Sequence, residues 1–314
     1  MAFSLFDRRG AVDGIEGPTR VTVGVFDGVH RGHLHLLSQM RHVAQVKGGE
    51  EWPTVVITLT SHPSFVLGRR ASEYWLDDPE EHLRLLFEGG ADYVAVLPFT
   101  VEVARLTACQ MARMLYDELN MRMLLLGYDS RFGSKQNDDF ALLPELASTL
   151  GFALERGEPF LVGGQPISSS RIRESLMSGN VGETAALLGR HYAVSGQVLH
   201  GRGVGHTLGF PTANVDLSQT RKMLPGEGVY AVRMKNEELG MKYCGMANLG
   251  SAPTFGVEKP LLEVHLIDFE GDLYGETVTV EFMQRLRDIR RFDTPEALEA
   301  QLQKDLRNCL DLIQ

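Results

Sequence analysis

Histidine is scarce in this chain, ten in 314 residues. Three of them nevertheless fall within six positions of VTVGVFDGVHRGHLHLL, Val21 to Leu37. Imidazoles can ligate a metal, move a proton or donate hydrogen bonds to an anion. A zinc site needs a third and usually a fourth ligand, and His30 and His33 lack the glutamate and spacing of HEXXH. A Walker loop needs GK[ST] after its glycine span, which is missing. What remains is an imidazole pair donating to phosphoryl oxygens. Gly24, Gly28 and Gly32 let such oxygens approach the amides of a helix start. That arrangement stabilises the charge of an in-line nucleotidyl transfer without a covalent intermediate. His35, two residues farther on, reads as a surface or packing residue.

Three further groups carry chemistry. Ser168, Ser169, Ser170 and Arg171, in ISSSRIRE, open a helix where amides, hydroxyls and a guanidinium can hold triphosphate or simply cap the helix. In LGFPTANVDL, Pro211 fixes a turn, and Thr212 and Asn214 project to one face of a strand. Their oxygens suit magnesium, which takes few protein ligands beside phosphates and water, and they equally suit a solvated strand face. Glu263 alternates with His265 amid apolar neighbours, as a proton acceptor or a buried ion-pair partner would.

The elements that must position these groups differ between the two halves. Val21–Phe26, Thr54–Leu59, Tyr93–Leu97 and Met121–Leu126 read as apolar strands. Helical spacing follows Leu34, covers Pro79–Glu88 and Thr107–Leu119, recurs near Phe140–Leu150, and predicts two short helices after Ser169. Apolar strands alternating with helices predict a parallel sheet covered on both faces, a Rossmann-like α/β domain. From Tyr192 to about Glu281 the segments are short, glycine-rich and β-branched or aromatic, which predicts an antiparallel β-barrel or sandwich. A C-terminal helix follows, with Thr294 as N-cap, Pro295 at its first position and an apolar stripe from Leu298 to Ile313. The expected boundary gives domains 1–184 and 185–314.

GVFDGVHRGH resembles the HxGH signature of the nucleotidyltransferase superfamily, in the form found in bacterial FAD synthetases, and ISSSRIRE resembles the ISSTRIR box of that family. Two weaker matches lie between them. TSHPSFVL resembles the family's HP segment, and GYDSRFGSKQNDD resembles a loop that contacts the flavin nucleotide. That loop departs from the pattern at Ser130, Gln136 and Asp138, so a chain with only one live activity is a competing reading. GFPTAN, GVYAV, ANLGSAPTFG, LEVHLIDFEGDLYGE and RLRDIRRFDTPEAL resemble, in order, a bacterial riboflavin kinase domain, a small antiparallel β-barrel with a C-terminal helix.

Together the resemblances imply a bifunctional riboflavin kinase and FMN adenylyltransferase using ATP and Mg2+, with riboflavin, FMN and FAD as ligands. Carried over residue by residue, they imply ATP contacts at Gly24, Phe26, Asp27, Gly28, His30, Gly32 and His33. Further ATP contacts are implied at Ser169, Ser170, Arg171, Gly209, Pro211, Thr212 and Asn214. The implied catalytic residues are His30, His33, Arg171 and Glu263, the last as base on the ribityl 5′-hydroxyl. Thr212 and Asn214 are implied as magnesium ligands, and His62, Asp129, Phe132 and Arg287 as flavin contacts. HGRGVGHTLG resembles a nucleotide-covering flap, with Val204 and His206 where arginines are common.

Composition bounds the rest. A net charge of −10 disfavours non-specific nucleic-acid binding. No apolar run approaches the roughly 18 residues that span a bilayer, and MAFSLFDRRG lacks the apolar core of a secretory signal. Three scattered cysteines, Cys109, Cys244 and Cys309, suggest neither a disulfide framework nor a zinc site. The expectation is a cytoplasmic enzyme, a monomer or weak homo-oligomer, with no nucleic-acid or membrane partner.

Overall fold

A computed structural model of the chain describes residues 4–47, 51–59, 74–130, 132–134, 139–200, 209–236, 238–254 and 257–313. They form two compact units, Met1–Ser169 and Ser170–Gln314.

The first unit holds strands β1 (Ser4–Asp7), β2 (Gly10–Val12), β3 (Thr19–Val23), β4 (Thr54–Leu59), β5 (Tyr93–Leu97), β6 (Met121–Leu126) and β7 (Ala153–Arg156), in the sheet order β2-β1-β5-β4-β3-β6-β7. Strands β3 to β7 pair in parallel. The hairpin β1–β2 adds an antiparallel edge that sequence reading missed, its strands being too short to show a period. Helices α1 (Arg31–Lys47), α2 (Pro79–Glu88), α3 (Val101–Arg105), α4 (Ala108–Leu119) and α5 (Leu143–Leu150) complete the layers. Successive residues of β4 show why its sequence is apolar throughout. Val55 and Ile57 join the core that holds Leu115 of α4, and Val56 joins the opposite core with Leu37 and Met40 of α1. A strand covered on both faces buries every side chain.

Strand β3 is displaced from the predicted Val21–Phe26 to Thr19–Val23. Phe26 has φ 52°, a left-handed conformation that no strand continues through. The short hairpin β8 (Leu161–Val162) and β9 (Gln165–Pro166) precedes the unit's end.

The second unit, from Ser170 on, holds α6 (Ser169–Met177) but for its first residue, and α7 (Val181–Leu188). Strands β10 (Tyr192–Leu199), β11 (Ala213–Val215), β12 (Gly228–Asn236), β13 (Met241–Thr254), β14 (Val257–Leu266) and β15 (Thr277–Arg287) form a closed antiparallel barrel, ordered β10-β11-β14-β13-β12-β15. Pairing of β15 with β10 closes it and leaves no sheet edge. Strand β14 alternates as the pleat requires: Leu262, Val264 and Leu266 are buried, while Glu263 and His265 are partly exposed. Helix α8 (Pro295–Ile313) packs Leu302, Leu306 and Cys309 against Phe210, Ala231 and Met246. Its start is capped as predicted, Ala297 N–H donating to Thr294 Oγ1 at 3.2 Å.

Candidate active sites

The sheet order places β3 between β4 and β6, so the chain runs outward in both directions from this central strand. Open α/β sheets bind ligands at such a switch point, beyond the carboxyl ends of the strands. The GVFDGVHRGH turn leaves the end of β3 at Val23, and GYDSRFG leaves the end of its neighbour β6 at Leu126. The TSHPSFVL segment follows β4, and His62 within it lies outside the described residues, as do Gln136, Asp138, Val204 and His206.

The turn after β3 is conformationally costly. Phe26 (φ 52°) and Val29 (φ 30°) join Gly28 (φ 82°) at positive φ within four residues. For non-glycine residues this costs on the order of 1–3 kcal/mol each, which surrounding contacts must offset. The turn reverses the chain so that α1 starts at Arg31 with His30 immediately before it. There the amide of His33 donates to the His30 carbonyl at 2.8 Å and also lies 3.3 Å from His30 Nδ1. The rings of His30 and His33 stack with centroids 3.5 Å apart and 17° between planes, and Phe26 packs edge-on against His33 at 5.1 Å. His30 is 4% exposed.

The glycines have specific neighbours. A Cβ on Gly24 would meet the Phe26 ring at 3.0 Å, and one on Gly32 would meet the His30 ring at 3.1 Å. These two therefore make room for the aromatic and imidazole rings as well as for any ligand. Within the first unit, Ser169 Oγ donates to the carbonyl of Asp27 at 3.0 Å, so this one serine touches the β3 turn directly.

In the second unit, Arg171 pairs with Glu183 at 3.0 Å, fixing its guanidinium near the start of α7. Ser170 stands beside it on α6. Glu183 was missed by the sequence reading; only its position in the first turn of a helix hinted at it.

The barrel places Asn214 of β11 opposite Glu263 of β14, and Glu263 opposite Asn248 of β13. Directly opposed residues share a face, so two amides flank one carboxylate. Asn248 Nδ2 donates to Glu263 Oε2 at 3.5 Å. Asn248 lies within ANLG, and nothing in that tetrapeptide alone distinguishes it from a strand-surface asparagine. His265, one pleat from Glu263, places Nδ1 2.9 Å from the carbonyl of Pro211 and packs edge-on against Phe210. That contact ties Thr212, the next residue, to β14. Gly209 adopts φ 77° at the entry to this turn.

The flavin candidates are dispersed. Asp129 is exposed on the turn after β6, whereas Phe132 is 6% exposed within the core of the first unit and anchors that turn. Arg287 Nε donates to Asp305 Oδ2 of α8 at 2.8 Å, and Gln301 donates to the other oxygen of Asp305. Arg287 thus joins the barrel to its terminal helix. Among the described residues no cluster of three or more His, Cys, Asp or Glu side chains is arranged to hold a metal.

Comparison with known proteins covers both units. A family model described as FAD synthetase matches residues 14–171, and one described as riboflavin kinase matches residues 188–313. Similar proteins include the bifunctional riboflavin kinase/FMN adenylyltransferase of Escherichia coli (strain K12), 37% identical over 91% of this chain and 90% of that one. The protein of the same description from Bacillus subtilis (strain 168) is 34% identical over 91% and 89%. A crystal structure described as a macrolide-efflux protein from Streptococcus pneumoniae is similar with TM-score 0.83 and 32% identity, covering 94% of this chain and 95% of that one. No helix among the described residues is long and apolar enough to cross a membrane.

Proposed function

The chain belongs to the bifunctional riboflavin kinase/FMN adenylyltransferase family, and on that premise we propose how its residues divide the two reactions. The activity is flavin cofactor synthesis: riboflavin is phosphorylated by ATP to FMN, and FMN is adenylylated by a second ATP to FAD with release of pyrophosphate. Residues 1–184 carry the adenylyl transfer and 185–314 the phosphorylation. The observation that carries this assignment is the chemistry-bearing turn at the sheet's switch point, in the half that matches FAD synthetase.

In adenylyl transfer a phosphate oxygen of FMN attacks the α-phosphorus of ATP in line, and the bond to pyrophosphate breaks. His30 and His33 donate to phosphoryl oxygens and stabilise the charge that develops. Gly24, Phe26, Asp27, Gly28 and Gly32 shape the nucleotide's cradle. Ser169, Ser170 and Arg171 hold the remaining phosphates, Arg171 leaving Glu183 for the more charged partner. Asp129 meets the flavin, with Phe132 holding the loop that bears it, and His62, outside the described residues, is the further flavin contact that the family motif implies.

In phosphorylation the ribityl 5′-hydroxyl attacks the γ-phosphorus, ADP departs, and Glu263 takes the hydroxyl proton. Gly209, Pro211, Thr212 and Asn214 meet ATP, and Arg287 lies toward the flavin. Magnesium, when bound, would supply charge neutralisation. Thr212 Oγ1 and Asn214 Oδ1 would hold it: Asn214 stands opposite Glu263 in the barrel, and a hard cation already carrying phosphate and water needs few protein oxygens. We place the enzyme in the cytoplasm as a monomer or weak homo-oligomer, without nucleic-acid or membrane partners.

The test supplies purified protein with ATP and magnesium, plus riboflavin or FMN separately, and resolves the flavins chromatographically. FMN and FAD should form from riboflavin, and FAD from FMN. FMN without FAD in both arms would leave a kinase alone, the outcome that the substitutions at Ser130, Gln136 and Asp138 make worth checking.

A further inference from the structure

The strained turn after β3 is held by a buried polar chain that none of the residues assigned above accounts for. Thr58 on β4, 2% exposed, donates its hydroxyl proton to the carbonyl of Val25 at 3.1 Å. The same oxygen lies 2.9 Å from His82 Nε2 on α2, and His82 Nδ1 lies 3.0 Å from Asp77 Oδ2. The other oxygen of Asp77 accepts the amide of Gly28 at 3.2 Å. The chain thus leaves the turn at Val25 and returns to it at Gly28, bracketing the positive-φ residue Phe26.

Each polar atom of the chain has a partner. Thr58 directs its one proton at Val25, and the two ring nitrogens of His82 bridge the threonine oxygen and the Asp77 carboxylate. Buried groups left unserved are costly, which makes so complete a chain a rigid brace. A brace on the backbone that leads into His30 governs where the imidazole pair stands.

We infer that Thr58, His82 and Asp77 are positioning residues for adenylyl transfer, holding the Val25–Gly28 backbone so that His30 and His33 meet the phosphates in line. The inference rests on the proposed role of those two histidines. Displacing reacting groups by a fraction of an ångström to an ångström costs up to about 100-fold in rate.

The test compares Thr58→Val and Thr58→Ser in the full-length protein. Valine keeps the shape and removes the hydroxyl; serine keeps the hydroxyl and removes a buried methyl. Both lose some stability, so melting temperature alone does not separate them. FAD formation from FMN should fall about 10- to 100-fold in Thr58→Val and stay near the parent rate in Thr58→Ser, with FMN formation from riboflavin unchanged in both. His82→Gln, which keeps a donor toward Thr58 but loses Asp77, should fall between them. Parent-like FAD formation in Thr58→Val, or equal losses in the valine and serine variants tracking their melting temperatures, would overturn the inference. His33→Ala, run alongside, separates the two failures. If it abolishes FAD formation while Thr58→Val does not, only the brace is wrong; if neither matters, the histidine site is wrong as well.

Discussion

Asp27 and Asp77 exchange contacts across two segments far apart in the chain. Asp27 Oδ1 accepts the amide of Leu76 at 2.8 Å, and Asp77 Oδ1 accepts the amide of Gly28 at 3.2 Å. Both residues are almost wholly buried, at 1% and 3% exposure. Each carboxylate satisfies a backbone donor next to the other, so the turn that carries the histidines is locked to the segment preceding α2. On the proposed reading, a turn tied in this way holds its imidazoles in place before nucleotide arrives, which is what preorganised charge stabilisation requires.

Loss of one imidazole should separate the two activities. His33→Ala is expected to reduce FAD formation from FMN by about 100- to 1,000-fold, the cost of removing one well-placed donor. FMN formation from riboflavin should be retained. Steady-state rates on the two substrates check this; equal losses would contradict independent sites.

The converse holds in the barrel. Glu263→Ala should reduce riboflavin phosphorylation by about 100- to 10,000-fold, the usual contribution of a proton acceptor, and leave FAD formation from supplied FMN intact. Asn248→Ala, which removes the amide beside Glu263, should cost about 3- to 10-fold, in line with one hydrogen bond. A loss in Asn248→Ala as large as in Glu263→Ala would mean the asparagine meets substrate itself.

Gly32 offers a test in which stability and activity move apart. Alanine is the better helix former by up to about 1 kcal/mol, and Gly32 lies in the first turn of α1 without a positive φ. A methyl group there would press on the His30 ring from 3.1 Å. Gly32→Ala is therefore expected to melt no lower than the parent and to lose about tenfold or more in FAD formation. Calorimetry and the FMN-fed assay together decide it.

The thiol of Cys309 should be the last to react. Burial pushes its pKa up to about 11, with nearby Cys244 adding to the effect, and its Sγ donates to the Gly245 carbonyl at 3.3 Å. A raised thiol pKa favours the protonated form in the folded state, so little thiolate exists below about pH 9 and the fraction grows as pH rises toward 11. Alkylation of native protein at pH 8, read by peptide mass spectrometry, should leave Cys309 unmodified until denaturant is added. Labelling of Cys309 in the folded protein would show α8 opening from the barrel.

The motif residues themselves were legible because their chemistry is local. His30, Gly32 and His33 sit within four residues at the start of α1, and Thr212 stands two residues before Asn214 of β11, so spacing alone brings them together. The alternation of Glu263 and His265 fixed their shared face for the same reason, and the run of apolar residues in β4 declared a strand buried on both sides. Tertiary structure decided the rest. The end of β3 at Val23 depends on a left-handed Phe26, a conformation that apolar side chains at 25 and 26 do not announce. Asn248 reaches Glu263 only through the barrel's register, and Phe132 proved to be packed in a core that its loop sequence does not reveal. Thr58, Asp77 and His82 are separated from the turn they brace by tens of residues, and a threonine in an apolar strand reads as packing. Periodicity and motif spacing report contacts between near neighbours in the chain. Hydrogen bonds between distant segments exist only once hydrophobic layers have brought those segments together.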